Sequence, residues 1–269
     1  MLIAEKFIYF ELQKTGSSYT KDILISLAKD NYVLKGVHNT YDSIHPGLIG
    51  NFDDKLKIGN IRNPWDWYVS LWAFGCMGKG GLFKTVAKIQ KREFKSIPKD
   101  IEKKFIPKKY PQLNMKIWNT LYSDPNNMHN FRSWLEIVIS KPEISIGEGY
   151  KECEISTEIG LLSYRYLKLF TYKANKINTI GNFQSAFKHD KENNFLNFVI
   201  RTEHIQKDLL LNSDILGYKQ AEMKKVLDAN QKPTNTSIRE QYKKYYDNNT
   251  VLLVKEKERL IIDKYGYFF

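Results

Sequence analysis

The sequence has only two cysteines in 269 residues, Cys76 and Cys153. They lie far apart and form no CxxC or metal-ligand spacing, which argues against a disulfide scaffold and a zinc site. No stretch offers the about 18 consecutive apolar residues that cross a bilayer. The opening MLIAEKFIYFEL is too short and too soon interrupted by charge to read as a signal peptide or anchor. Together these absences lead us to expect a chain suited to a reducing, cytoplasmic setting, with no membrane span. Proline and glycine are sparse, at 8 and 15 residues. No Pro/Gly/Ser-rich linker divides the chain, so a single domain over 1–269 is expected. Internal repeats are lacking. So is the GxxxxGK[ST] pattern of ordinary ATPases and GTPases.

What is present is a composition that builds a core, 42% hydrophobic and 14% aromatic. The formal net charge of +12 points to an anionic partner: a nucleotide, nucleic acid, acidic polysaccharide or membrane surface. Between Lys79 and Lys116 there are 12 Lys or Arg against 3 Asp or Glu, which accounts for most of that excess. This stretch belongs to a basic, variable insertion over about 75–127. It reads either as a solvated face or as a contact surface for an acidic acceptor.

Apolar periodicity sets out the elements. KFIYFEL (Lys6 to Leu12) reads as a buried strand, followed by the turn QKTGSS and a helix to about Lys29 capped by Ser17 or Ser18. Further strands are expected at Tyr32 to Val37, Leu56 to Ile61 and Phe195 to Ile200. Asn63-Pro64 marks the boundary before a helix from Trp65 to Phe74. Helical spacing recurs over Phe131 to Ser140, Ile159 to Phe170, Glu203 to Leu211, Gln220 to Ala229 and within Ile238 to Lys264. Strand, tight loop and helix in this order open a nucleotide-binding α/β fold.

A loop between a buried strand and a helix aims several backbone N–H groups at one anion, and the helix dipole adds to the attraction. Here Gly16 permits close approach, Lys14 supplies a charge, and Thr15, Ser17 and Ser18 offer hydroxyls. The segment IGNIRNPWDWYVSLW places Arg62 at a strand end and Ser70 about two turns along the following helix. An arginine fork and a serine hydroxyl are suited to a second phosphate. Core packing of Trp65, Val69 and Trp72 explains much of the same spacing.

FIYFELQKTGSSYTKDIL followed by IRNPWDWYVSLW resembles the paired signature of sulfotransferases that use 3'-phosphoadenosine 5'-phosphosulfate (PAPS), particularly the carbohydrate sulfotransferase-like branch. In that family the first loop holds the 5'-phosphosulfate and the second segment the 3'-phosphate. FVIRTEHIQKDL resembles the family's late strand and helix, and NTSIREQYKKYYDNNTVLLVKEKERLIIDKYGYFF its ending. The likeness touches most of the chain outside the basic middle. Gln13 departs from it, standing where the family usually has proline.

The resemblance implies an α/β, three-layer P-loop-like fold with a central mainly parallel sheet flanked by helices. It further implies PAPS as co-substrate and adenosine 3',5'-bisphosphate as product. The expected acceptor is a carbohydrate or other hydroxyl-bearing molecule, anionic ones included, and no nucleic acid or metal is called for. Lys14 would stabilise the leaving phosphate, and Asn235, Ser237 and Arg239 would close over the nucleotide. His38, just after the second expected strand, is the first choice of base, with His45, Glu11 and Asp42 as rivals. Glu203 is expected to hold local structure beside Arg201. The alternatives are a basic nucleic-acid-binding protein, in which aromatic residues stack on bases, and a non-catalytic nucleotide-binding module.

Overall fold

The computed structural model describes residues 1–36, 38–43, 52–87, 115–141, 144–230 and 238–269. It is an α/β structure built on a five-stranded sheet: β1 (Leu2–Ala4), β2 (Phe7–Phe10), β3 (Tyr32–Leu34), β4 (Leu56–Ile61) and β5 (Phe198–Arg201), in the order β3-β1-β2-β4-β5. β2 and β5 each run parallel to β4, and β1 runs antiparallel to both β2 and β3. The sheet is therefore mixed. Four strands share one direction, but antiparallel β1 lies between β3 and the rest, so the expectation of a mainly parallel sheet holds only for β2, β4 and β5.

Alternation along β2 sends Phe7 and Tyr9 to one face and Ile8 and Phe10 to the other, with all four side chains buried. On the Phe7 face lie α1 (Ser17–Ala28), α8 (Ile205–Leu211) and α9 (Gln220–Ala229), packed through Ile23, Leu209 and Met223. The opposite face carries the larger core. It is formed by α2 (Pro64–Cys76), α5 (Met128–Ser140) and α6 (Leu161–Phe170), with Trp67, Trp72 and Trp134 fully buried. Gly59 of β4 is required here, because a Cβ would sit 2.7 Å from the Phe170 ring. Short α3 (Gly81–Ala87) and α4 (Met115–Leu121) pack on the same side through Leu82 and Trp118. Most of the basic segment, 88–114, lies outside the described residues.

Asn63 starts α2 as expected, its side chain accepting from the Trp65 and Asp66 amides with Pro64 at the first helical position. Three further helices, α7 (Phe183–Asn193), α10 (Asn248–Lys257) and α11 (Arg259–Tyr265), complete the helical layers. Between the last two lies Glu258, fully buried, whose carboxylate accepts from the Leu162 and Ser163 amides, the Ser163 hydroxyl and the Tyr68 hydroxyl. It thus caps α6, whose own first-turn residue Gly160 has no side chain to do so. No described helix is long and apolar enough to cross a membrane.

Candidate functional site

The loop after β2 owes its shape to a sequence of inward hydrogen bonds. The Leu12 carbonyl accepts from the Thr15 hydroxyl at 2.8 Å, and the Gln13 carbonyl from the Trp67 indole at 2.6 Å. The Lys14 carbonyl accepts from Arg62 at 3.0 Å, the Thr15 carbonyl from the Asn60 amide at 3.0 Å, and the Gly16 carbonyl from the Thr20 amide. Five successive carbonyls are thereby held against the protein. Peptide planarity then turns the intervening N–H groups towards the other side. Lys14 and Gly16 both take left-handed backbone, with φ of 61° and 69°. At Gly16 a Cβ would also meet the Ile205 side chain at 2.8 Å, so this position needs glycine.

Gly16, not Ser17 or Ser18, is the N-cap of α1, and it provides no side-chain cap. The first amides of α1 have no partner within the helix, which leaves them for an anion. Ser17 and Ser18 line a cavity of about 390 Å³ together with Gln13, Lys14, Gly16 and His38. Thr15, by contrast, is fully buried and spends its hydroxyl on the Leu12 carbonyl, so it shapes the loop from beneath.

Asn60 was not singled out by the sequence. Fully buried in β4, it donates to the Thr15 carbonyl and the Thr20 hydroxyl and accepts from the Tyr9 hydroxyl at 2.8 Å. Both amide hydrogens and the amide oxygen are engaged within the protein, and Asn60 thereby fixes the loop to the sheet. A polar residue at the centre of an otherwise apolar strand, IGNI, was the available signal.

Three cations gather at this loop. Burial pushes the Lys14 ammonium down to about 8, with Arg62, Arg239 and Lys79 adding like-charge repulsion. Its ammonium lies 3.6 Å from the Phe74 ring centroid. Arg62 pairs with Asp66 at 2.7 Å, and Arg239 pairs with the other carboxylate oxygen of Asp66. One acidic side chain therefore latches two arginines beside a lysine. Ser70 is buried in α2, and neither it nor Arg62 nor Arg239 is among the cavity-lining residues. Asn235 and Ser237 lie outside the described residues.

His38 sits in left-handed backbone, φ 60°, with Nδ1 2.6 Å from the Glu11 carbonyl. A carbonyl only accepts, so Nδ1 carries the hydrogen and Nε2 keeps its lone pair. The residue is exposed overall, but partial burial of the ring lowers its pKa from the ordinary imidazole range. Lost hydration is the largest cause, opposed by the hydrogen bond and charge of Glu11. The ring is therefore neutral near pH 7.

The rival bases are placed differently. Glu11 is buried between the Met1 amino group and Lys21, each at 2.8 Å. Burial opposes its ionisation, yet the two cations outweigh that and hold the carboxyl below its usual range. Asp42 accepts from the Ala174 amide and is not among the cavity-lining residues. His45 lies outside the described residues. Glu203 does hold local structure, accepting from the Asn63 amide at 2.7 Å and from Tyr267, but no ion pair joins it to Arg201 among the described residues. Arg201 instead lies over the Tyr267 ring.

No protein-family profile, curated protein or solved structure matches the chain.

Proposed function

We propose that the chain is a PAPS-dependent sulfotransferase acting on a hydroxyl of an acceptor, with a three-layer, P-loop-like arrangement supporting the nucleotide. The observation that carries this reading is the loop from Leu12 to Gly16. Its carbonyls are tied inward, its helix is uncapped, and Lys14 stands beside it with Arg62 and Arg239, the two arginines having Asp66 as their acidic partner. Cations outnumber carboxylates there, which suits a ligand with several negative charges.

In the proposed reaction the acceptor oxygen attacks sulfur, forming an O–S bond as the bond from sulfur to the 5'-phosphate oxygen breaks. The electron pair stays on that phosphate oxygen, where Lys14 and the α1 amides offset its charge. The acceptor proton passes to Nε2 of His38, the nitrogen left free by the Glu11 carbonyl. The products are a sulfate ester and adenosine 3',5'-bisphosphate. Arg62 and Arg239, latched by Asp66, serve the nucleotide's 3'-phosphate in this reading, and acceptor choice falls to the far side of the cavity.

The test is thermal stabilisation by adenosine 3',5'-bisphosphate, with transfer of labelled sulfate from PAPS as a second readout. The bisphosphate should raise the melting temperature of the wild type and leave Lys14→Ala unmoved. His38→Ala should keep the stabilisation and lose transfer, whereas a non-catalytic nucleotide module would show no transfer in either protein. Absence of stabilisation in the wild type, or equal stabilisation in Lys14→Ala, would falsify the proposal.

A further inference from the structure

The cavity has a second polar wall away from the phosphate loop. Gly147, Glu148 and Gly149 follow one another with φ of 81°, 65° and 76°. Left-handed backbone is uncommon for glutamate and is retained where surrounding contacts enforce it. The turn presents the Glu148 carboxylate to Arg165 of α6 as a two-bond fork: Nε donates to Oε2 at 2.8 Å and Nη2 to Oε1 at 2.5 Å. Arg165 lies over the Trp67 ring, and its side chain is only 7% exposed, against 35% for Glu148. Both residues line the cavity that also holds Lys14 and His38.

The balance of this wall differs from that of the loop. One carboxylate meets one guanidinium, so their charges cancel. Each Glu148 oxygen has a second lone-pair direction not used by Arg165. Arg165 Nη1 is shielded from bulk water and has no hydrogen-bond partner among the described residues. A buried N–H left unpaired is costly, so a small turn of the guanidinium towards a ligand oxygen is favoured when one arrives. An acceptor carboxylate or sulfate here would face the Glu148 charge. An aryl acceptor would find the phenyl ring that lines the cavity, Phe74, already covered by the Lys14 ammonium.

We infer that Glu148 and Arg165 recognise the acceptor, and that the ring they admit is an uncharged sugar, with one hydroxyl donating to Glu148 while a neighbouring hydroxyl lies at His38. This rests on the sulfotransferase reading and adds its acceptor class. Arg165 is a positioning residue, fixing the Glu148 carboxylate and supplying Nη1 to a ring oxygen. Because Glu148 is placed to accept an O–H, a ring that lacks the hydroxyl forgoes that bond, and one that replaces it by an anion is repelled.

The experiment compares PAPS-dependent transfer to neutral methyl glycosides of glucose, galactose and N-acetylglucosamine with transfer to methyl glucuronide, in wild type, Glu148→Gln and Arg165→Lys. Bisphosphate stabilisation is measured in parallel. The wild type should sulfate a neutral glycoside in preference to the glucuronide. Glu148→Gln should raise KM for the neutral glycoside by about tenfold, narrow the gap to the glucuronide and bind the bisphosphate as the wild type does. Arg165→Lys, which keeps charge but loses the fork, should raise the same KM to a smaller extent. With bisphosphate binding normal, a wild-type preference for glucuronide, or an unchanged neutral-glycoside KM in Glu148→Gln, overturns the acceptor inference alone. Should Glu148→Gln fail to fold, an unchanged KM in Arg165→Lys overturns it equally. Loss of bisphosphate binding in the wild type overturns the sulfotransferase reading and this inference together.

Discussion

The two walls of the cavity use the same chemical groups to opposite ends. At the loop, Arg62 and Arg239, which do not themselves line the cavity, share one carboxylate, Asp66, and Lys14, which does, is repelled by both. At the α6 wall, Arg165 and Glu148 match one to one. Excess cation leaves an attraction that only an incoming anion can satisfy. A matched pair leaves directional hydrogen bonds and little net field. Charge count alone would have called both walls basic or polar; in the proposed reading it is the pairing that assigns phosphate to one and hydroxyl groups to the other.

The sharpest way to break that contrast is to remove a cation from the first wall. Arg62→Ala deletes both the latch on Asp66 and the donor to the Lys14 carbonyl. Calorimetric affinity for adenosine 3',5'-bisphosphate should fall roughly 100-fold. A smaller effect comes from pH. Lys14, pushed down to about 8 by burial and by its cationic neighbours, is mostly charged at pH 7 and mostly neutral at pH 9. A bound anion favours the charged form, so bisphosphate affinity should decline as pH rises through 8, by up to about tenfold per unit. Lys14→Arg, which stays charged, should flatten that decline. The mildest test is salt. Raising ionic strength should weaken bisphosphate binding several-fold and leave the KM for a neutral glycoside almost unmoved, because only the first wall acts through net charge.

The strands and helices with strong apolar runs were legible in the sequence. β4 and α9 fall where periodicity puts them, and Asn63-Pro64 marks the start of α2. β1 was missed because three residues, Leu2–Ala4, give too short a pattern, and its turn into β2 at Glu5 and Lys6 has none of the Gly or Asn signals of a hairpin. α7 was missed for a different reason: in FQSAFKHDKEN the buried residues are Ala186, His189 and Asp190, two of them polar. At the site, Lys14, Gly16, Arg62 and Arg239 could be read because their chemistry is conspicuous. Asn60 and the outward or inward turn of Thr15 could not, since both depend on which carbonyls face the protein. Glu148 and Arg165 are 17 residues apart on a loop and a helix, and only the fold reveals them as a pair.

The clamp of Glu258 on the start of α6 reaches back 96 residues to Leu162. During synthesis, α6 must therefore emerge with its first turn open and wait for the end of the chain before its amides are closed. Arg165 lies one turn further along α6. The sheet and the Leu12–Gly16 loop can assemble around β2, β4 and β5 beforehand, but the start of α6 is closed only when residue 258 arrives. A ribosome-bound chain halted before Glu258 would thus hold one half of its cavity before the other, and the C-terminal helices act as the late timer for the second.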